Sequence, residues 1–259
     1  MSFLYRLRRH PIAMEARFRH ALVLTYAFPA DILEPLIPPG LTLDTSEGFG
    51  FCAIALVDTR GMRPRTLPAA FGFDSYLAGY RIFTRLGGFG SLRGLRILRS
   101  ETNRLQMLLG GNLLTHYHYR LAQIHVDEHP DRLRWRIMSK DHAADLDVTA
   151  NLSSTPSRPP KHSPFRDWRE ARRFAGPLPY TFDYEPETHS IIRIQGVRQC
   201  WTPRPVEVKV DRCTFFEQAE FAGAKPVLAN AFYIPPVPYY AWRPGVRQAL
   251  DPREAQVCS

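Results

Sequence analysis

The sequence predicts a mainly β protein, an antiparallel barrel or closed sheet system with a few short helices. Two observations lead there. The 23 prolines and 16 glycines are spread along the 259 residues and not run together, as expected for many short strands joined by turns. Strand-like segments also follow one another with few helical stretches between them, the pattern of antiparallel barrels.

In chain order, residues 20–28 are β-branched and aromatic and read as a strand. Pro29 opens a short helix running to Ile37. Proline is tolerated in a first helical turn, and Ile32, Leu33, Leu36 and Ile37 share one face. Pro38, Pro39 and Gly40 stop it, and residues 41–44 form a short strand. The apolar run 48–59 predicts a strand buried on both faces, followed by a Pro/Arg-rich loop over 60–68. Residues 73–86, rich in Phe and Tyr, make the next strand, and Gly87, Gly88 and Gly90 mark a turn. An extended piece at 96–100 leads into a short helix over 102–109 and a long strand over 112–126. Residues 132–140 and 144–152 read as a strand pair, and 165–174 as a short helix. Strands near 179–185, 189–197, 205–221 and 227–234 complete the chain. The polar loop 153–164 is read as a surface loop, because either half alone would leave a sheet without a second layer. Residues 1–259 are therefore expected to form one domain.

The net charge is +9, almost all from arginine: the lysines are Lys140, Lys161, Lys209 and Lys225. The arginines are scattered, and no nucleic-acid motif or stacking pattern joins them, so no nucleic-acid partner is expected. Cys52, Cys200, Cys213 and Cys258 show neither C-x-x-C nor metal spacing. A chain this long needs no disulfides, and reduced thiols in a cytoplasmic protein are expected. No apolar run is long enough for a secretory signal or a membrane span. There is no phosphate-binding glycine loop and no G-x-S-x-G elbow. The aromatic, Pro-rich tail 232–245 reads as a strand end packing back over the barrel, with a binding ribbon or subunit contact as the other reading.

Residues 100–120, SETNRLQMLLGGNLLTHYHYR, carry the most chemistry. They resemble the active-site segment of the acetoacetate decarboxylase-like superfamily. There an acidic or amide residue, a short helix and a glycine precede a strand carrying Gly-Phe-Pro-Lys-Lys. Here Asn103 lies seven residues before Gly110, and the resemblance sets His118 where the Schiff-base lysine would stand. Residues 24–44, LTYAFPADILEPLIPPGLTLD, are similar to the opening of the superfamily. Residues 71–85, FGFDSYLAGYRIFTR, resemble its strand with a pocket glutamate, Asp74 being the nearest acid. The similarity is closest to an uncharacterised branch of conserved proteins that keeps the barrel and lacks the lysine. It implies an acetoacetate decarboxylase-like antiparallel β-barrel with a polar central cavity, often assembled as a homo-oligomer.

An imidazole cannot form the stable iminium of amine-route decarboxylation, so Schiff-base chemistry is not expected. It can transfer protons or donate to a carbonyl or carboxylate. On a strand, His116, His118 and Arg120 share one face, suited to an anion, with Thr115, Tyr117 and Tyr119 on the other. The alternative is an ordinary outward face of packing groups. His118, Asp74 and Glu101 are the candidate catalytic residues. His116, Arg120, Tyr76, Tyr80 and Asn103 are the candidate substrate-binding residues, and Arg81 is a further candidate beside Asp74, Tyr76 and Tyr80. For each a structural role stands beside the functional one: Tyr76 and Tyr80 as core aromatics, and Glu101 as a helix N-terminal acid. His-x-His is also half of a metal site, with His20, Asp74 or Glu101 as a conceivable third ligand, but no metal or other cofactor is expected. His125 and His129 read as exposed. Two functions stay open: acid–base chemistry on a small carbonyl or carboxylate compound, or binding of an organic or lipid-like acid without turnover.

Overall fold

The computed structural model describes residues 3–87, 91–176 and 178–250. The glycine turn predicted at Gly88 and Gly90, and Cys258, lie outside them.

Two long apolar strands set the architecture, β1 (Met14–Pro29) and β3 (Phe49–Pro64). Every residue of β3 from Gly50 to Thr59 is buried, so this strand has a neighbour on both faces, as its unbroken apolar run predicted. The short β2 (Leu41–Leu43) lies between them in sequence. Next come β4 (Phe73–Leu86), β5 (Leu92–Thr102), β6 (Tyr119–His129), β7 (Arg132–Ser139) and β8 (Leu146–Asn151). The final third holds β9 (Tyr180–Glu185), β10 (Ser190–Arg198), β11 (Arg204–Pro205), β12 (Glu207–Cys213), β13 (Val227–Ile234), β14 (Val237–Trp242) and β15 (Val246–Ala249). The helices are short: α1 (Ala30–Leu33), α2 (Leu105–Leu114) and α3 (Trp168–Ala175). No helix among the described residues is long and apolar enough to cross a membrane.

Hydrogen bonding closes a ring in the order β1, β3, β4, β5, β9, β10, β14 and back to β1. All of these pairs are antiparallel except β5 with β9. The second sheet, β6–β7–β8–β12, branches from the end of β5, where Ser100–Thr102 pair in parallel with Tyr119–Leu121.

The strands of the ring therefore separate two interiors. Leu22, Leu24, Tyr26 and Phe28 of β1, with Ile54, Leu56, Tyr80 and Ile82, pack outward against Trp135, Ile137 and Val148 of the second sheet. The alternate residues Ala21, Ala27, Ala53, Val57 and Phe83 turn inward, where Phe165 and Ala171 close over them. Several inward residues are alanines, so the barrel is not filled by its own side chains.

The largest departure from expectation is at 105–118. The helix runs through Gly110 and Gly111 to Leu114, and the next strand begins only at Tyr119. Gly111 is no turn signal; it is buried, and a Cβ there would lie 2.3 Å from the Tyr119 ring. The glycine is a packing choice inside a helix. β12 likewise ends at Cys213, short of the predicted Phe221, because 3-10 turns at Thr214–Glu217 and Ala219–Phe221 take Phe215, Phe216 and Phe221 into the outer core. The loop 60–68 is shorter than predicted, since β3 continues to Pro64.

The two helix glycines give a paired prediction. Gly110→Ala has open space and should stabilise the protein by about 0.5–1 kcal/mol, the usual gain in a helix. Gly111→Ala should destabilise it by about 1–3 kcal/mol through overpacking, despite the same gain in propensity. Urea titrations of the two variants check the opposite signs.

Candidate functional site

The unfilled barrel interior is a cavity of about 230 Å³. Its walls are mostly aliphatic and aromatic, among them Ala53, Ala55, Val57, Leu77, Phe83 and Ile97, and Met107, Gly110 and Gly111 of α2 cover part of it. Arg81, Tyr117, Tyr119, Ser100 and His10 bring polar atoms into this apolar setting. No Asp, Glu or Lys lines it among the described residues.

Arg81, Arg172 and Arg198 line the cavity, and Arg81 is the one set in the wall of β4 with a buried, unpartnered nitrogen. Its Nε is buried with no hydrogen-bond partner, and no carboxylate lines the wall beside it. Gly79, two residues earlier on the same face of β4, makes this geometry fit: a Cβ there would stand 2.8 Å from Nε and 3.0 Å from Nη2. Gly196 does the same for Tyr240, whose hydroxyl would lie 2.4 Å from an added Cβ. The tail at 237–242 is thus a stave of the barrel, and Tyr240 and Trp242 line the cavity.

Tyr117 and Tyr119 arrive from a tethered segment. Asn112 holds it twice, its Oδ1 accepting from the Tyr119 N–H at 2.8 Å and its Nδ2 donating to the Tyr119 carbonyl at 2.8 Å. The Thr115 hydroxyl donates to the Gly111 carbonyl at 2.7 Å and accepts from the Tyr117 N–H at 3.2 Å. Burial pushes both phenols well above their ordinary pKa. The charge of Asp183 adds to this, and that of Arg81 opposes it. Both hydroxyls are therefore protonated donors at neutral pH. Burial lowers the His10 imidazole to about 4, so it is neutral, and its ring lies 6.4 Å from that of Tyr117.

The other eight residues singled out from the sequence go elsewhere. His116 and His118 do share a side, but it is not the chamber wall. They line a second, polar pocket with Arg8, Arg96, Asp183 and Glu187, while Thr115, Tyr117 and Tyr119 face the cavity. The physical reason is that residues 115–118 are a turn and not a strand, with His118 in the left-handed region at φ 51°. Arg120 leaves the histidines and pairs with Asp141, which also takes Arg99 at 2.6 Å. Glu101, fully buried, accepts from Arg99 Nε at 2.5 Å. Burial raises the Glu101 pKa, with Arg99 opposing, whereas hydrogen bonding to Arg99 lowers that of Asp141.

Tyr76 and Tyr80 lie on the outer face of β4. Tyr80 donates to the Ala144 carbonyl at 3.0 Å and stacks on Phe215 at 4.0 Å; Tyr76 meets the Trp135 ring edge-on. Asn103 accepts from the Tyr76 N–H at 2.8 Å. Asp74 is exposed, bound to Arg60 at 3.0 Å and to the Gly61 N–H at 2.9 Å. None of these four lines the cavity. Sequence reasoning named Arg81 beside Asp74, Tyr76 and Tyr80 and missed Tyr117, Tyr119 and His10. For Arg81 a further signal was Gly79, a glycine inside an aromatic strand two residues from the arginine. Among the described residues no group of three or more His, Cys, Asp or Glu side chains is placed to hold a metal.

The profile of a family of uncharacterized conserved proteins, DUF2071, matches residues 15–238, and the chain belongs to that family. No curated protein sequence matches it. Among solved structures it is similar to an acetoacetate decarboxylase-like enzyme from Sphingomonas wittichii RW1, with TM-score 0.59, 14% identity, and coverage of 92% or more of each (94% of this chain, 95% of that one). It is also similar to the enduracididine biosynthesis enzyme MppR complexed with pyruvate, with TM-score 0.58, 10% identity, and 92% and 90% covered. Acetoacetate decarboxylase from Legionella pneumophila gives TM-score 0.56 at 14% identity, with 92% and 88% covered. At these identities the likeness is one of fold: the chain is an acetoacetate decarboxylase-like β-barrel.

Arg99→Met should remove the partner of buried Glu101 and cost about 3–5 kcal/mol at pH 7. An unpaired Glu101 takes up a proton more readily in the folded state than in the unfolded one. The loss should therefore shrink as pH falls toward 5, and Arg99→Met/Glu101→Gln should be less damaged than Arg99→Met at neutral pH. Denaturant melts across pH 5–8 test both signs.

Proposed function

We propose that the barrel cavity binds a small carbonyl-containing organic acid, with Arg81 holding its carboxylate. The observation that carries this reading is the half-buried Arg81 on the wall of a mostly apolar cavity, its buried Nε without a hydrogen-bond partner and no carboxylate in the described lining. A guanidinium without a local counter-charge favours an anionic ligand, and a bidentate carboxylate is its natural complement. Tyr117 and Tyr119 supply hydroxyl donors for a neighbouring carbonyl, and the aliphatic and aromatic wall takes the rest of the molecule. MppR, of the same fold, is seen with pyruvate, a small keto acid of this class.

Among the described residues the cavity lining has no lysine, so this reading contains no iminium step. Proton transfer falls instead to His10, neutral at pH 7, while the two phenols stay protonated and donate hydrogen bonds. A second reading, binding of a larger lipid-like acid without turnover, is favoured by the dominance of apolar side chains and the lack of any carboxylate base in the lining.

A thermal-shift screen over keto acids, simple carboxylates and fatty acids separates the two. A ligand at 100 times its Kd adds about 2.7 kcal/mol to stability, a melting shift of several degrees. The shift should vanish in Arg81→Leu; full retention there would remove the anchor from the proposal. Prolonged incubation followed by NMR then decides on turnover. If a short keto acid is consumed, His10→Ala should slow that reaction by about 100-fold or more. A ligand recovered unchanged would favour the binding protein.

A further inference from the structure

Across the 115–119 segment from the cavity lies the second pocket, of about 270 Å³. Three polar atoms of its wall are buried and have no hydrogen-bond partner: Arg96 Nε, His116 Nε2 and Asp183 Oδ2. They come from three separate elements, β5, the turn after α2, and β9. Asp183 is only 2% exposed. Leaving a buried polar group unsatisfied is costly, and these three face one pocket. Their convergence points to a ligand that bonds to all three.

The charges narrow its chemistry. Two guanidinium groups, Arg8 and Arg96, face the pocket against Glu187 and Asp183, and the imidazoles of His116 and His118 add N–H donors. Arginine in the wall disfavours a cation. Donors placed on several sides suit a tetrahedral oxyanion better than a planar carboxylate. We propose that this pocket binds a phosphate group, gripped by Arg96, His116 and the Asp183 carboxyl, with Arg8 and His118 at its mouth. The site does not depend on the function assigned to the barrel cavity.

The titration of the wall agrees. Burial lifts Asp183 to about 7, against the pull of Arg96 and of the His116 backbone N–H, so a neutral carboxyl is accessible near physiological pH. Burial lowers both His116 and His118, which enter as neutral donors. Glu187 is exposed at the rim, and the Tyr184 hydroxyl is engaged by His189 Nδ1 at 3.1 Å. An oxyanion that binds with Asp183 protonated takes up one proton. Its affinity then falls as pH rises through 7, by about tenfold between pH 6 and pH 8.

The test is calorimetric titration of the full chain with sulfate, whose charge is constant over that pH range, and with inorganic phosphate and methyl phosphate at pH 6. The expected results are sulfate binding that weakens about tenfold from pH 6 to pH 8, a flat pH dependence in Asp183→Asn, and no binding in Arg96→Gln. Arg81→Leu should bind all three as the parent does, which separates this pocket from the barrel cavity. Tighter binding of methyl phosphate than of inorganic phosphate would assign a phosphate monoester, and the reverse the free ion. Absence of binding by all three probes at millimolar concentration would overturn the proposal. So would equal binding by the parent and Arg96→Gln, which settles the matter even if Asp183→Asn folds poorly.

Discussion

The structure depends on the central stretches of β1, β3 and β4 being covered on both sides. A strand has only two faces, and along these stretches one serves the core beneath the second sheet, the other the barrel interior. This doubles the packing demand on each strand, and it also sorts function by parity. Tyr76 and Tyr80 of β4 belong to the outer core, whereas Leu77, Gly79, Arg81 and Phe83 belong to the cavity. Shifting the assignment by one residue exchanges a structural tyrosine for a candidate binding arginine.

The same alternation continues where there is no strand. Between the end of α2 and the start of β6 the backbone turns, yet Thr115, Tyr117 and Tyr119 reach one compartment and His116 and His118 the other. Side-chain hydrogen bonds from Asn112 and Thr115 hold the turn in place of a ladder, and Gly111 gives the Tyr119 ring its space. One short segment is thus the partition between a mostly apolar chamber that holds Arg81 and a polar pocket with charged groups of both signs. Its composition, aromatic on one side and imidazole on the other, matches the two environments.

Electrostatics follow the same division. Away from the two pockets, buried charge is paired: Asp44 with Arg85 and Arg93, Glu185 with Arg9, Glu101 with Arg99. In the pockets, Arg81, Arg96 and Asp183 keep buried polar atoms without partners. Burying such groups is costly, and in each pocket they face space that a ligand can fill. The strongly basic composition, by contrast, is spread over many such pairs and forms no motif of its own.

Much of the fold was written in local patterns. The strands at 73–86 and 227–234, the doubly buried run at 49–59 and the Pro-started helix near 30 all follow from apolar periodicity and turn residues. The likeness of layout at 24–44, 71–85 and 100–120 carried the class of barrel. The site was less legible. Periodicity states that His116 and His118 lie together and that Tyr117 and Tyr119 lie opposite, but it has no term for which side is the chamber. Likewise, Gly110 and Gly111 look alike in sequence; only the Tyr119 ring packed over one of them shows that the helix passes through. The chain by itself determined which residues are neighbours along a strand or turn. Which face meets the cavity was decided by tertiary structure, because that depends on how the ring closes and where the second sheet lies, contacts between residues far apart in the chain.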